Sequence, residues 1–196
     1  MNISLRPAAR RARTALVSTV VAGAGLAGAL GMAGVAHAAT NAPTGYVTTD
    51  TCTGVSGQIN YSPGLVKYKK PLQQAVLTGT TSGCSDIFSG PLSGTGTLTA
   101  VMSGKANLST ENFSGTFTIN WPASSGFNPS NGTVTVTDAN GLETMSGTVT
   151  SGFDTGSAFA MQYVITGHTG RGTALHPVTA QTYTDTQPLT LARNEG

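Results

Sequence analysis

The chain has 196 residues, of which 38% are hydrophobic and only 9% are charged. Ten Lys and Arg against eight Asp and Glu give a formal net charge of +2, but four of these cations are arginines close to the N-terminus. Without that segment six cations face eight acidic side chains, a balance of −2. This balance argues against a general nucleic-acid-binding surface.

Residues 1–38 have the organisation of a secretory signal peptide. The arginines precede an uncharged run rich in Ala, Gly, Val and Leu from Ala15 to Val35, and an Ala-His-Ala triplet ends at Ala38. A membrane anchor is the alternative, but the Gly and Ala content makes the run weakly hydrophobic. We therefore expect cleavage near Ala38 and export, with residues 39–196 forming a single domain that has no membrane span.

Both cysteines, Cys52 and Cys84, lie in the part of the chain that we expect to be exported. An even number of cysteines in an oxidising compartment indicates a disulfide. Two thiols would need further ligands to bind a metal, and the sequence has no Cys-x-x-Cys motif or nearby histidine pair. We therefore predict a Cys52–Cys84 disulfide and no metal or other cofactor.

Two segments that follow Cys52 predict the first strands. They read GVSGQINY (54–61) and QAVLTGTT (74–81), and they are separated by Pro63-Gly64 and a lysine-containing segment that ends at Pro71. The connection also holds the one cluster of positive charge outside the leader, formed by Lys67, Lys69 and Lys70. We interpret this cluster as a solvated edge or loop rather than a binding site.

The phrase Ser/Asn-Gly-Thr-x-Thr occurs four times, beginning at Ser93, Ser114, Asn131 and Ser146. In the second copy, SGTFTINW, Phe117, Ile119 and Trp121 alternate with polar residues, which predicts a strand with one buried and one solvated face. Threonine suits the solvated face because its branched Cβ favours an extended backbone. We interpret each Gly as the point where the chain enters a strand from a turn or bulge. The irregular spacing argues against a solenoid or propeller.

The remainder of the chain continues this pattern of strands and turns. Asn140-Gly141 predicts a hairpin, and AFAMQYVIT (158–166), Gln181–Asp185 and Leu189–Leu191 predict further strands. No segment after the leader keeps an apolar helical period over three turns free of Gly and Pro. The sequence therefore predicts an all-β fold, an antiparallel β-sandwich of roughly eight to ten short strands, with a partly closed β-barrel as the alternative.

Several motifs occur in a characteristic order: Cys52, SPG at 62–64, Cys84, SGTGT from Ser93, SGTFTINW from Ser114 and SGTVTSGFDTG from Ser146. This order, which covers most of residues 39–196, resembles that of a group of small secreted actinobacterial proteins of unassigned function. Several members carry a further cysteine before the Trp-containing strand, where residues 107–112 of this chain hold none. The resemblance implies a secreted β-sandwich and supplies no active site.

The segment GHTGRGTALHP (167–177) holds the side chains best suited to chemistry, His168, Arg171 and His176. As a ligand clamp it would use histidine for proton transfer and arginine for a carboxylate or phosphate. We favour an exposed Gly-rich connection, because the histidine spacing fits no compact metal motif and no Gly-x-Ser-x-Gly elbow occurs. A Ser-His-Asp site assembled in space is the remaining catalytic alternative. We therefore nominate no catalytic, cofactor-binding or metal-ligating residue.

Acidic and aromatic residues are the other candidates for a site. The segment Asp138–Glu143 offers oxygen donors for calcium but lacks the longer alternation of a calcium loop. The remaining acids are scattered, so no carboxylate pair for glycoside hydrolysis can be nominated. Among the aromatic residues, Trp121 has the phase of a core residue. The freer candidates for a sugar-binding platform are Tyr46, Tyr61, Tyr68 and Phe127.

We expect a non-enzymatic extracellular protein that acts by binding or as a component of the cell surface. A carbohydrate- or small-molecule-binding module is the alternative, and a hydrolase is the third hypothesis. The sequence identifies no partner, although a cell-envelope component or a small molecule fits it better than nucleic acid does.

Overall fold

The computed structural model describes residues 46–139 and 141–194. These residues form nine β-strands and one short 3₁₀ helix, Ala123–Ser125, and contain no α-helix. The strands are β1 (Tyr46–Leu65), β2 (Leu72–Asp86), β3 (Gly90–Pro91), β4 (Gly96–Asn107), β5 (Thr110–Asn120), β6 (Ser130–Ala139), β7 (Leu142–Ser151), β8 (Ala158–Thr169) and β9 (Val178–Asn194). The predicted signal peptide, residues 1–38, lies outside the described residues. In the described part, no helix has the length and apolar character needed to cross a bilayer.

All nine strands belong to one antiparallel sheet that closes on itself. Its order is β1-β9-β8-β7-β6-β5-β4-β2-β3, and β1 also pairs with β2. Eight strands therefore form a barrel, and the two-residue β3 is added at β2. The predicted hairpin between β6 and β7 is present, with Ala139 opposite Leu142. The prediction of an antiparallel all-β fold is confirmed, and the sheet closes as in the barrel alternative.

Several strands are longer than the sequence predicted. The segments Gln181–Asp185 and Leu189–Leu191 both belong to β9, which has 17 residues. Register shifts interrupt the pairing of β9 with both β1 and β8. Such bulges bend and twist a strand, which allows a long strand to follow the curved wall of a barrel.

Apolar side chains fill the interior because successive residues of a strand point to opposite faces. Phe113, Phe117 and Ile119 of β5 are at most 2% exposed. The ring of Phe117 stacks on Phe159 of β8, with 4.5 Å between the ring centroids. Trp121 is buried as its phase predicted.

The predicted disulfide is present. Cys52 of β1 and Cys84 of β2 are directly opposite each other in the sheet, and both are buried. The bond therefore joins two strands that are also paired along most of their length.

Two glycines of the repeated phrase do not open strands, so that prediction was wrong for their copies. Gly115 lies in the middle of β5 and Gly147 in the middle of β7. A Cβ atom would lie 2.0 Å from the Val101 carbonyl oxygen at Gly115 and 1.8 Å from the Thr133 carbonyl oxygen at Gly147. Glycine is required at these points because the neighbouring strand approaches too closely for a side chain.

The two ends of the barrel differ in composition. At the end where β1 begins, which we call the aromatic end, the ring of Trp121 packs edge-on against Phe127 and Phe153. The indole Nε1 of Trp121 donates a hydrogen bond of 2.9 Å to Ser130 Oγ. The opposite end, which we call the carboxylate end, contains the connections that follow β1, β4, β6 and β8.

Candidate functional site

Three acidic side chains lie on neighbouring strands at the carboxylate end. In the β6–β7 register Asp138 is directly opposite Glu143, and pairing of Asn112 with Thr137 puts Glu111 of β5 beside Asp138. Each acid is in phase with the inward-facing apolar residues of its strand, so the pleat directs it towards the barrel interior. Glu111 and Glu143 are only 6% and 4% exposed. The barrel therefore brings together acids that are scattered in the sequence.

Hydrogen bonds hold Glu111 in place. The buried Tyr61 hydroxyl oxygen of β1 lies 2.9 Å from Glu111 Oε1 and 2.7 Å from Gln181 Oε1 of β9. A hydroxyl has one hydrogen to donate. The Tyr61 hydroxyl can therefore donate to Glu111 or to Gln181 at one time, and both acceptors lie within hydrogen-bonding distance of it.

Glu143 is less well paired than Glu111. It is directly opposite Tyr163 of β8, and both residues are buried. Glu143 Oε2 and the Tyr163 hydroxyl have no hydrogen-bond partner among the described residues. Buried polar groups are nearly always paired, and leaving one unpaired costs about 1–3 kcal/mol. The site therefore contains unused hydrogen-bonding capacity.

Burial raises the pKa of Glu111 to about 7 and the pKa of Glu143 to about 8. The hydrogen bond from Tyr61 opposes the rise in the pKa of Glu111, whereas the charge of Asp138 adds to it. The charges of Glu111 and Asp138 raise the pKa of Glu143 further. Burial and the nearby Glu143 and Glu111 also raise the pKa of Tyr163 well above its ordinary value. At pH 7 the site thus retains protons that exposed glutamates would have lost.

A cavity of about 360 Å³ lies next to these groups. Glu111, Asp138 and Glu143 line it, and Leu108 and Ile165 contribute apolar wall. The cavity therefore combines carboxyl groups with a hydrophobic surface.

The structure separates the three residues that the sequence analysis considered for a ligand clamp. His168 belongs to β8 and lines the cavity, whereas Arg171 lies in the next connection and lines a second cleft beside Lys67. His176 lines neither of these cavities, and its backbone N–H donates a hydrogen bond of 3.1 Å to the Thr173 carbonyl. All three side chains are exposed.

The aromatic candidates for a sugar-binding platform are also separated. Tyr61 is buried, and Phe127 stacks on Phe153 with 3.9 Å between the ring centroids. Tyr46 begins β1 at the aromatic end, whereas Tyr68, which is 86% exposed, follows β1 at the carboxylate end. These four residues therefore do not form a continuous exposed row.

A larger groove of about 620 Å³ is lined by residues of β5, β6, β7 and β8, but none of the lining residues has an ionisable side chain. Within residues 46–139 and 141–194, no group of three or more His, Cys, Asp and Glu is placed to hold a metal ion. We take the cavity at the carboxylate end as the candidate site because it brings ionisable groups with shifted pKa values together.

Comparisons with protein families, with curated proteins and with solved structures find no match to this chain.

Glu111 and Glu143 were not predicted as site residues from the sequence, although a signal for both was present. Glu111 is two residues before Phe113, and Glu143 is two residues before Met145, so each acid has the phase of the buried face. Tyr163 has the phase of the inward face of β8, but phase alone cannot distinguish a site residue from a core residue.

Proposed function

We propose that this chain is an exported, non-enzymatic protein that binds a small organic cation at the carboxylate end of its barrel. One observation carries the proposal: buried Glu143 Oε2 and the buried Tyr163 hydroxyl are unpaired with other described residues, and Glu143 lines a cavity. An ammonium or guanidinium group donates several hydrogen bonds and would supply the partner that the Glu143 carboxyl lacks.

The charge of the cavity favours a cation. Glu111, Asp138 and Glu143 line it, and no Lys or Arg is among the lining residues. A positive charge next to a carboxyl group favours ionisation and lowers its pKa. A bound cation would therefore stabilise the ionised forms of Glu111 and Glu143, and binding near pH 7 would release protons to the solvent.

The dimensions of the cavity favour a compact organic molecule. Its volume of about 360 Å³ is at the lower end of the range for small-molecule pockets. Leu108 and Ile165 provide apolar surface for the body of the ligand. The ligand class that fits best is an amine with a short apolar body.

Three probes with the same six-carbon body test the head group: n-hexylamine, 1-hexanol and hexanoate. At ten times its Kd, hexylammonium should add about 1.4 kcal/mol of stability at pH 8, which raises the Tm of a domain of this size by about 3–5 °C. Hexanol and hexanoate should have little effect, because neither provides a positive donor group.

Two substitutions on β7 connect this binding to the site. Glu143→Gln should weaken hexylammonium binding at least about ten-fold, because it removes the negative charge. Thr144→Val is the matched control. Thr144 follows Glu143 in β7 and its side chain lies on the opposite face of the sheet, so this substitution should leave the affinity for hexylammonium unchanged. Equal stabilisation by hexanol, or full affinity in Glu143→Gln, would contradict the proposal.

A hydrolase is the second candidate, and the pKa values of Glu111 and Glu143 favour it. Carboxyl groups that titrate near pH 7 can both donate and accept protons at neutral pH. Incubation with nitrophenyl esters and nitrophenyl glycosides distinguishes the candidates. Product release that is lost in Glu111→Gln and Glu143→Gln would identify a catalyst, whereas the binding protein should leave these compounds intact.

The proposal of export rests on the N-terminal pattern and is compatible with the Cys52–Cys84 disulfide. When the full chain is expressed in a secretion-competent bacterium, the protein in the medium should begin near Ala39. N-terminal sequencing that finds an intact leader would contradict export by cleavage.

A further inference from the structure

Positive charge is concentrated at one end of the barrel. Residues 46–139 and 141–194 contain six Lys and Arg. The five at the carboxylate end, which we call the basic rim, are Lys67, Lys69, Lys70, Lys105 and Arg171. All five are exposed, and none has a salt-bridge partner among the described residues. The sixth cation, Arg193, lies at the aromatic end and pairs with Asp154.

The acids of the carboxylate end do not neutralise this rim. Glu111 and Glu143 are buried inside the barrel, and Asp138 is half-buried. Burial also raises the pKa values of Glu111 and Glu143, which favours the neutral forms of these two residues near pH 7. The outer surface of this end is therefore cationic although its interior is acidic.

Large apolar side chains project from the same end. Tyr68 and Leu175 are 86% and 87% exposed, and Leu72 is 69% exposed. The segments that carry Tyr68 and Leu175 are held together, because the Lys67 backbone N–H donates a hydrogen bond of 2.9 Å to the Gly172 carbonyl. A cleft of about 370 Å³ lies between these segments. Exposed cations and exposed apolar side chains therefore occupy adjacent positions, and Lys67 Nζ lies 5.3 Å from the centroid of the Tyr68 ring.

We propose that the basic rim docks on an anionic lipid surface, with Tyr68 and Leu175 inserted among the headgroups. Cations close to such a surface are attracted by its negative potential, and apolar side chains gain by leaving water at the interface. Tyrosine is enriched at this depth in membranes. A polyanion in solution would neutralise the cations but leave the apolar side chains in water, so a lipid surface matches both features. This inference does not depend on the identity of the ligand in the cavity.

Sedimentation with lipid vesicles tests the requirement for charge. At about 0.1 M salt the protein should bind phosphatidylcholine vesicles that contain about 30% phosphatidylglycerol, and it should not bind pure phosphatidylcholine vesicles. Salt at about 0.5 M should release it, because screening shortens the range of the attraction. Each lysine near the surface is worth about five-fold in the partition coefficient, so Lys67→Gln, Lys69→Gln and Lys70→Gln together should lower it about 100-fold.

The aromatic end supplies a matched control for the apolar side chains. Phe88 is 88% exposed, as much as Leu175, but it lies on the connection that follows Asp86 at the opposite end. The double substitution Tyr68→Ala and Leu175→Ala should lower vesicle binding at least about ten-fold, because the apolar contribution is lost. Phe88→Ala should not change it. The Tm of each variant should match that of the parent protein, because all three side chains are exposed.

Brominated lipids test the orientation directly. Vesicles that contain them should quench tryptophan fluorescence in Tyr68→Trp and leave the added fluorescence of Phe88→Trp unquenched. The native Trp121 is 6% exposed at the aromatic end and gives the same background in both variants.

Three results would overturn the proposal. The first is equal binding to vesicles with and without phosphatidylglycerol, or binding to neither. The second is a Phe88→Ala effect as large as that of the double substitution. The third is binding of duplex DNA as tight as vesicle binding, with no loss in the Tyr68→Ala, Leu175→Ala variant, which would identify a soluble polyanion as the partner.

Discussion

The two ends of the barrel use the same strand alternation but differ in what lies beside their buried polar groups. At the aromatic end, Trp121 donates to Ser130, and Ser130 Oγ donates a hydrogen bond of 2.6 Å to the Phe153 carbonyl. At the carboxylate end, Glu143 Oε2 and the Tyr163 hydroxyl have no partner among the described residues. Packed aromatic rings with paired polar atoms stabilise a fold, whereas unpaired polar atoms beside a cavity reduce stability and favour a ligand. The cavity beside Glu143, rather than unpaired atoms alone, therefore distinguishes the carboxylate end as the one suited to binding.

The aromatic end also holds buried polar atoms with no partner among the described residues, namely both carboxyl oxygens of Asp50 and the hydroxyls of Thr81 and Ser157. Asp50 is 1% exposed, and burial together with the charges of Asp154 and Asp86 raises its pKa to about 7. Its carboxyl oxygens have no hydrogen-bond partner in the described part of the chain. Asp50 lines none of the cavities described above, and the neighbouring Asp154 is already paired with Arg193. Asp50 therefore contributes to the pH dependence of stability at this end.

The largest effect should come from the aromatic end. Trp121→Ala removes a buried indole and leaves Ser130 without its donor, so it should lower the free energy of unfolding by about 3–5 kcal/mol. Tyr68→Ala at the carboxylate end should change it by less than about 0.5 kcal/mol, because that ring is exposed. Urea denaturation measures both. Similar losses of unfolding free energy in the two variants would contradict the proposed difference between the two ends.

Loss of the disulfide should have the second largest effect. Reduction of Cys52–Cys84 should lower the free energy of unfolding by about 2–4 kcal/mol, because the cross-link restricts the unfolded chain. The vesicle and hexylammonium affinities should be unchanged wherever the reduced protein stays folded. Titration that finds free thiols in the folded exported protein would contradict the predicted bond.

Loss of protons at the carboxylate end should make the protein less stable as the pH rises. The pKa of Glu143 is raised to about 8 in the folded state from an ordinary value of 4.5. The folded protein therefore binds more protons than the unfolded chain between these values, and stability decreases as the pH rises through them. Glu111 and Asp50, whose pKa values are raised to about 7, act in the same direction.

Glu143→Gln should remove part of this decrease. The variant should be about 2 kcal/mol more stable than the parent at pH 9 and nearly equal to it at pH 4. Urea denaturation across this range measures the difference. If Glu143→Gln is less stable than the parent protein at pH 9, the ionised carboxylate of Glu143 must have stabilising partners in the folded state.

The smallest effect is expected from the residues that first suggested chemistry. Replacing His168, Arg171 and His176 together with Ala should change stability by less than about 1 kcal/mol, because all three side chains are exposed. A change above about 2 kcal/mol would assign these residues to the folding core. Loss of hexylammonium binding with an unchanged far-ultraviolet spectrum would instead place His168 in direct contact with the ligand.

The sequence predicted the local features of the fold because those features depend on neighbouring residues. Alternation alone placed Phe117, Ile119 and Trp121 inside, and the cysteine count indicated the disulfide. Closure of the barrel depends instead on pairing β1 with β9, which brings Tyr46 opposite Asn194 at the far end of the chain. No local pattern contains that information, so a sandwich and a barrel remained alternatives.

The candidate site was harder to predict for the same reason. Glu111 and Glu143 meet only because the registers of β5, β6 and β7 align them at one level of the barrel. The segment Asp138–Glu143 was considered for calcium, but its turn explained the pattern without reference to the distant Glu111. A charged residue in the buried phase of a strand was the signal available in the sequence, and it identifies single residues rather than the group they form.

The most direct test of a cation site is the ionisation of Glu143 itself. Carboxyl carbon NMR of labelled glutamate, assigned with Glu143→Gln, measures its pKa with and without hexylamine. We predict a pKa of about 8 in the free protein, and a decrease of at least about one unit when the ammonium ion binds. A pKa close to 4.5 that does not respond to hexylamine would contradict the account.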